Sequence, residues 1–217
     1  MNIVYKKAET SDAYDVAYIA AYSWKETYEG LLPDDYLNDR VNNIEERLEG
    51  TKNFISKYDG NYVIVRDDDK PVGILAYRKS NDEKYKDYGY LEAIYVLKDY
   101  QGYGIGKELF KMAIEDFISM GYNKMYLECM KGNSTLSFYE KYDGRVVDTI
   151  NYNIRDDINP ETYIMTFDDL EKVLAKINKN DLTPENIPNP VPNNLELKTM
   201  PYTYNESIEP TKIVKKI

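Results

Sequence analysis

No histidine occurs in the 217 residues, and there is a single cysteine and a single tryptophan. Without histidine there can be no Ser-His-Asp triad, no Cys-His pair and no histidine-rich zinc site, so no metal centre is expected. Proton transfer is left to carboxylates, tyrosines, water or the substrate. Cys129 cannot form an internal disulfide, which suits a reducing compartment. Positive charge is also short, with 28 Lys and Arg against 38 Asp and Glu and a formal net charge of -10. Binding to nucleic acid phosphates draws on clustered cations, so nucleic acid is not an expected partner. A cationic small molecule suits the balance better, although an acidic surface also serves solubility alone. No apolar run approaches the roughly 18 residues a membrane span requires. Met1 to Lys6 lacks the charged-then-apolar layout of a secretion signal, so a cytoplasmic protein with no membrane partner is expected.

What is present is enough for one core: 42% of the residues are hydrophobic and 30% charged. One folded domain over residues 1–167 followed by an extension over 168–217 is the natural division. Asn2 to Lys6 alternates as a strand, and Thr10, Ser11 and Asp12 offer capping oxygens to a helix marked by Ala13, Val16, Ala17, Ala20 and Trp24. Pro33 fits the first turn of a second helix, and Asn43 to Leu48 reads as a further short one ending before Gly50. Tyr62 to Val65 and Val72 to Tyr77 read as a hairpin around the polar Asp67 to Pro71 turn, and Lys79 to Asp87 as a surface loop. Leu91 to Val96, the helical Lys107 to Met120 and the strand Met125 to Cys129 form a strand-helix-strand unit with parallel strands. Val146 to Ile154 and Tyr163 to Phe167 complete a β-α-α-β-β-β-α-β-α-β-β order. After Phe167, Asp169 to Ile177 reads as a short helix, and Pro184, Pro188, Pro190, Pro192, Pro201 and Pro210 then punctuate a polar tail. That tail reads either as a loosely held end or as a segment covering its own domain or contacting a neighbouring subunit of a homodimer; the sequence leaves both open.

The most informative segment is the turn Gln101-Gly102-Tyr103-Gly104-Ile105-Gly106, set between the Leu91 to Val96 strand and a helix. The first amides of a helix lack carbonyl partners and carry the positive end of its dipole, so such a junction cradles an anion. A dinucleotide fingerprint fails because Lys107 stands at the third glycine, and a triphosphate loop fails at Gln101 and Glu108. The remaining Gln-X-X-Gly-X-Gly pattern resembles the pyrophosphate loop of the GNAT family of N-acetyltransferases. Asn133 and the Phe138-Tyr139-Glu140-Lys141 run resemble that family's second cofactor segment, and Ser23 to Pro33 is similar to its first-helix ending. The likeness extends over nearly all of the first 167 residues. It departs where the family's Leu-Gly-Phe is here Tyr142-Asp143-Gly144-Arg145.

The resemblance implies a mixed α/β (α+β) sheet of the acyl-CoA N-acyltransferase type, opened like a V and flanked by helices, with acetyl-CoA as acyl donor. It implies diphosphate binding by Gln101, Gly102, Tyr103, Gly104, Ile105, Gly106 and Lys107, and backbone contacts to the cofactor from Ile94, Tyr95 and Val96. Val96 N–H would receive the thioester oxygen, Asn133 would bind the cofactor arm, and Tyr139 would protonate the departing thiolate. Glu92 is the first candidate base and Glu128 the second, because strand alternation places Glu92 with Ile94 and Val96 and opposes them to Leu91, Ala93 and Tyr95. Trp24, Tyr28 and Glu29 fall on the implied acceptor side, where an aromatic and a carboxylate suit a cation. The acceptor implied is a polyamine, amino sugar, amino acid or protein amino group. A noncatalytic acyl-CoA sensor is the alternative from another class.

Overall fold

A computed structural model describes residues 1–57 and 61–181. The proline-rich stretch from Pro184 onward, and the tail's two readings with it, lie outside the described residues. The chain begins with β1 (Ile3–Lys7), followed by helices α1 (Ala13–Tyr28), α2 (Asp34–Asn42) and α3 (Leu48–Lys57). Next come β2 (Tyr62–Asp67), β3 (Lys70–Lys79), β4 (Gly89–Val96), α4 (Ile105–Ser119) and β5 (Met125–Met130). The order closes with α5 (Leu136–Lys141), β6 (Arg145–Asn151), β7 (Glu161–Phe167) and α6 (Leu170–Asp181). The seven strands form one mixed sheet in the order β1-β2-β3-β4-β5-β7-β6, in which β4 and β5 make the parallel pair. Among the described residues no helix is long and apolar enough to cross a membrane.

Among the described residues three helices separate β1 from β2, and the third lies later than the Asn43 to Leu48 expected for it. α3 runs through Gly50 instead of stopping before it. A helical glycine costs about 1 kcal/mol relative to alanine, which burial of Ile55 with the partly buried Leu48 on the same face outweighs. The start of α1 also differs from expectation. Asp12 stands at the N-cap of α1, but its side chain makes no capping bond to the helix; it accepts from Glu9 N–H at 2.9 Å and pairs with Arg66 of β2 at 2.8 Å. Arg66 binds Asp15 as well, at 2.7 Å, so one guanidinium ties the first turn of α1 to the sheet. Burial raises the Asp12 carboxyl, but the Glu9 amide and Arg66 outweigh it and hold the group below its ordinary value.

α1 is buried on two sides because it lies between the sheet and its neighbouring helices: Val16 and Ile19 join the main core, while Ala17 and Ala21 meet Ile44. On the opposite face, α4 sinks Leu109, Phe110, Ala113, Ile114 and Phe117 completely. α6 covers the same core with Leu170, Val173 and Ile177, none more than 2% exposed. The Lys79 to Asp87 connection is more than a surface loop, since Tyr85 is buried and stacks on Tyr126 with ring centroids 4.6 Å apart.

Candidate active site

Three local features converge at the centre of the sheet. The first is the turn before α4. Gly104 is the residue that caps the helix and has φ 84°, a left-handed conformation that side chains resist, and a Cβ built on it would meet nothing within 4 Å. The first helical bond runs from Glu108 N–H to Gly104 C=O at 3.0 Å, so the amides ahead of it in the first turn have no helical acceptor. Gln101 acts inward rather than outward, with Nε2 donating to the Val96 carbonyl at 2.9 Å and fastening the turn to β4.

The second feature is the β4 edge. Its parallel ladder with β5 covers only Gly89–Leu91 against Met125–Leu127, after which the strands part. On the other side β4 stays paired with β3, and Leu97 N–H donates to Val72 C=O at 3.0 Å. Antiparallel alternation therefore turns the peptide groups of Ile94 and Val96 away from β3 and into the gap. The strict side-chain alternation expected along β4 does not hold. Ala76 stands opposite Ala93 and Tyr77 opposite Leu91, so Glu92 is an inserted residue and the faces exchange there. Glu92 consequently lines one cavity with Ala93 and Tyr95, which were expected on the opposite face.

Along the gap lies a cavity of about 520 Å³ lined by Gln101, Gly102, Gly104, Gly106 and Lys107 at one end and by Asn133 and Tyr139 at the other. Ile94, Tyr95 and Val96 form its strand wall. Of the expected loop residues, Ile105 is buried in the core and Tyr103 does not line the cavity. Tyr139 packs against Phe110 and Phe167, with ring centroids at 5.7 and 6.4 Å. Its phenol is held well above the ordinary tyrosine value by burial and then by Cys129 and Tyr95. Asn133 Oδ1 accepts from Thr135 N at 3.0 Å and Oγ1 at 2.9 Å, closing the turn that leads into α5. Burial holds the Tyr28 hydroxyl well above its ordinary value. The unusual Tyr-Asp-Gly-Arg segment keeps a tight turn by another route. Asp143 takes φ 68° and is held by Lys176 of α6 at 2.8 Å, and Gly144 follows where a Cβ would lie 2.7 Å from the Phe167 ring.

The third feature is a second cavity, of about 570 Å³, on the α1 side of the sheet. Tyr28, Glu92, Tyr95 and Glu128 line both cavities, so the two meet at the parting of β4 and β5. Trp24 donates from Nε1 to the Tyr95 hydroxyl at 2.8 Å. Its ring is already covered by a cation of the chain, for the Arg40 guanidinium carbon lies 4.1 Å from the ring centroid. Glu29 is exposed and lines neither cavity. Glu92 pairs with Arg78 at 3.3 Å. Glu128 makes no ion pair among the described residues; burial, and then Glu92, raises its carboxyl above the usual range. Arg40, Tyr90 and Tyr152 also line this cavity and escaped the sequence reasoning. No local pattern marks them, because they come from three distant segments that only the fold assembles.

A family model described as the acetyltransferase (GNAT) family matches residues 18–144. The uncharacterized N-acetyltransferase YuaI of Bacillus subtilis (strain 168) is 27% identical over 152 residues, which are 70% of this chain and 86% of YuaI. Among solved structures, the PaiA N-acetyltransferase of Thermoplasma acidophilum, in complex with coenzyme A, superposes with a TM-score of 0.62 at 23% identity, covering 77% of this chain and 99% of its own. YncA of Salmonella typhimurium, with its cofactor acetyl-CoA, gives 0.58 at 14% identity, covering 77% and 94%.

Proposed function

The chain belongs to the GNAT acetyltransferase family, and from that premise we propose that it moves an acetyl group from acetyl-CoA to a primary amine by direct attack in a ternary complex. The observation that carries this reading is the junction of two cavities at the parted strands: one runs from the glycine turn to Tyr139, the other opens toward α1 and α2. The relatives bound to coenzyme A or acetyl-CoA support the first cavity as the donor side. Glycine-turn amides and the helix dipole would hold the diphosphate, and the Ile94 and Val96 peptide groups would pair with the pantetheine arm.

Each chemical step then has a group on hand. The amine nitrogen attacks the thioester carbon, the carbonyl oxygen gains negative charge and Val96 N–H stabilises it. The C–N bond forms as the C–S bond breaks, and Tyr139 gives its proton to the thiolate. Of the two protons the ammonium loses, one leaves for a carboxylate and solvent and the other restores Tyr139. Glu128 is the candidate base we favour, because burial makes it more basic than an ordinary carboxylate, while Glu92 is engaged by Arg78. A donor tyrosine held above its ordinary value stays protonated as pH rises, so Tyr139 imposes no alkaline loss of activity up to about pH 9.

Tyr139→Phe is the test. The substitution keeps the ring and its contacts with Phe110 and Phe167, so coenzyme A affinity should stay within about threefold while kcat falls about a hundredfold or more, the range of a lost general acid. Thiol release with a panel of amines, alongside calorimetry, measures both. Unchanged kcat would remove Tyr139 from this role.

A further inference from the structure

Among the described residues, one cation and two carboxylates that line the α1-side cavity make no ion pair: Arg40, the partly buried Glu128 and the exposed Glu46. The cation is Arg40 of α2. Its guanidinium carbon lies 4.1 Å from the Trp24 ring centroid and 5.7 Å from that of Tyr36, and Nη1 donates to the Tyr36 hydroxyl at 3.0 Å. The buried Nε has no hydrogen-bond partner, and no carboxylate among the described residues pairs with the group. Its neighbour Arg47 is in a different position, bound to Asp39 at 3.1 Å. The carboxylate at the parting of β4 and β5 is Glu128, whose companion Glu92 is already bridged to Arg78. Tyr152 lines the same cavity and feels the charges of Glu128, Glu92 and Arg40.

A guanidinium held over the Trp24 ring and hydrogen-bonded to the Tyr36 hydroxyl, with its Nε left unsatisfied among the described residues, is a preorganised fork for a planar anion. The parted strands, where acetyl transfer would occur, lie at the Glu128 end. We infer that the acceptor is a small zwitterion, a primary amine that also carries a carboxylate, with Arg40 binding the carboxylate and Glu128 facing the amine. This rests on the acetyl-transfer reading and narrows its acceptor. A polyamine fits less well, because its second ammonium would meet Arg40, and the Trp24 face that could have held it is already covered. The cavity, about 570 Å³, lies within the span of roughly 300–1,000 Å³ usual for small-molecule sites.

Lysine, leucine and serine, each compared with its carboxamide and its decarboxylated amine, test the inference when thiol release from acetyl-CoA is followed. The free acid should exceed both counterparts at least tenfold in kcat/KM in one series or more, mostly through KM. Arg40→Met should bring that ratio below threefold, and Arg40→Lys, which keeps charge without the fork, should retain part of it. Thiol release indifferent to the carboxylate, or a preference that survives in Arg40→Met, overturns the inference alone. No thiol from any of the nine amines, on protein that coenzyme A still stabilises against heat, overturns acetyl transfer to small amines and this inference with it.

Discussion

Replacing Gly104 with glutamate should weaken coenzyme A binding about a thousandfold without unfolding the protein. A carboxylate there would project into space that is open in the structure, directly in front of the first amides of α4. Two like charges about 4 Å apart cost about 4 kcal/mol at an effective dielectric near 20, and each 1.4 kcal/mol or so is tenfold in affinity. The left-handed φ of 84° adds strain of about 1–2 kcal/mol to any residue with a Cβ, which lowers the melting temperature but leaves most of the stability. Gly104→Ala carries that strain without the charge and should lose far less affinity. Calorimetric titration of both variants separates the terms. Retained affinity in Gly104→Glu would mean that the diphosphate sits elsewhere.

Ending the chain after Phe167 should abolish folding, whereas ending it after Asp181 should not produce that loss. The difference between the two is α6, which buries Leu170, Val173 and Ile177 against the main core. Each such side chain contributes about 1.5–3 kcal/mol when fully buried, and their sum rivals the roughly 5–15 kcal/mol by which domains are stable at all. The same helix supplies Lys176 to Asp143, whose left-handed turn ends α5 just beyond Tyr139. Loss of α6 thus reaches the site as well as the core. Melting curves of residues 1–167 and 1–181 provide the check, and matching transitions would show that α6 is dispensable and that the folded domain ends near residue 167.

The sheet, the parallel β4–β5 pair and the glycine turn were legible because each rests on local signals: alternation, a glycine cluster at a strand-to-helix junction, and the 3.6-residue period of α4. The first two hold in the structure from Leu91 to Lys107 apart from one insertion. That insertion, the bulge at Glu92, was invisible because it exists only against the facing strand, where Ala76 and Tyr77 stand opposite Ala93 and Leu91. α3 was placed too early where Gly50 suggested a stop, since propensity was outweighed by the burial of Ile55. Trp24 was legible as a residue of the α1-side cavity, but its cover was not. Arg40 lies sixteen positions away on another helix, and nothing in the spacing joins the two until α1 and α2 pack.

The central claim is that the 101–107 turn and the open β4 edge hold the donor with its thioester beside Tyr139. Amide chemical shifts of ¹⁵N-labelled protein, recorded during titration first with coenzyme A and then with acetyl-CoA, address it most directly. Coenzyme A should move the amides of Gly102, Gly104, Ile105, Gly106, Ile94 and Val96, and the further change on adding the acetyl group should concentrate at Val96 and around Tyr139. Shifts that spare the turn, or an acetyl-dependent change remote from Val96 and Tyr139, would contradict it.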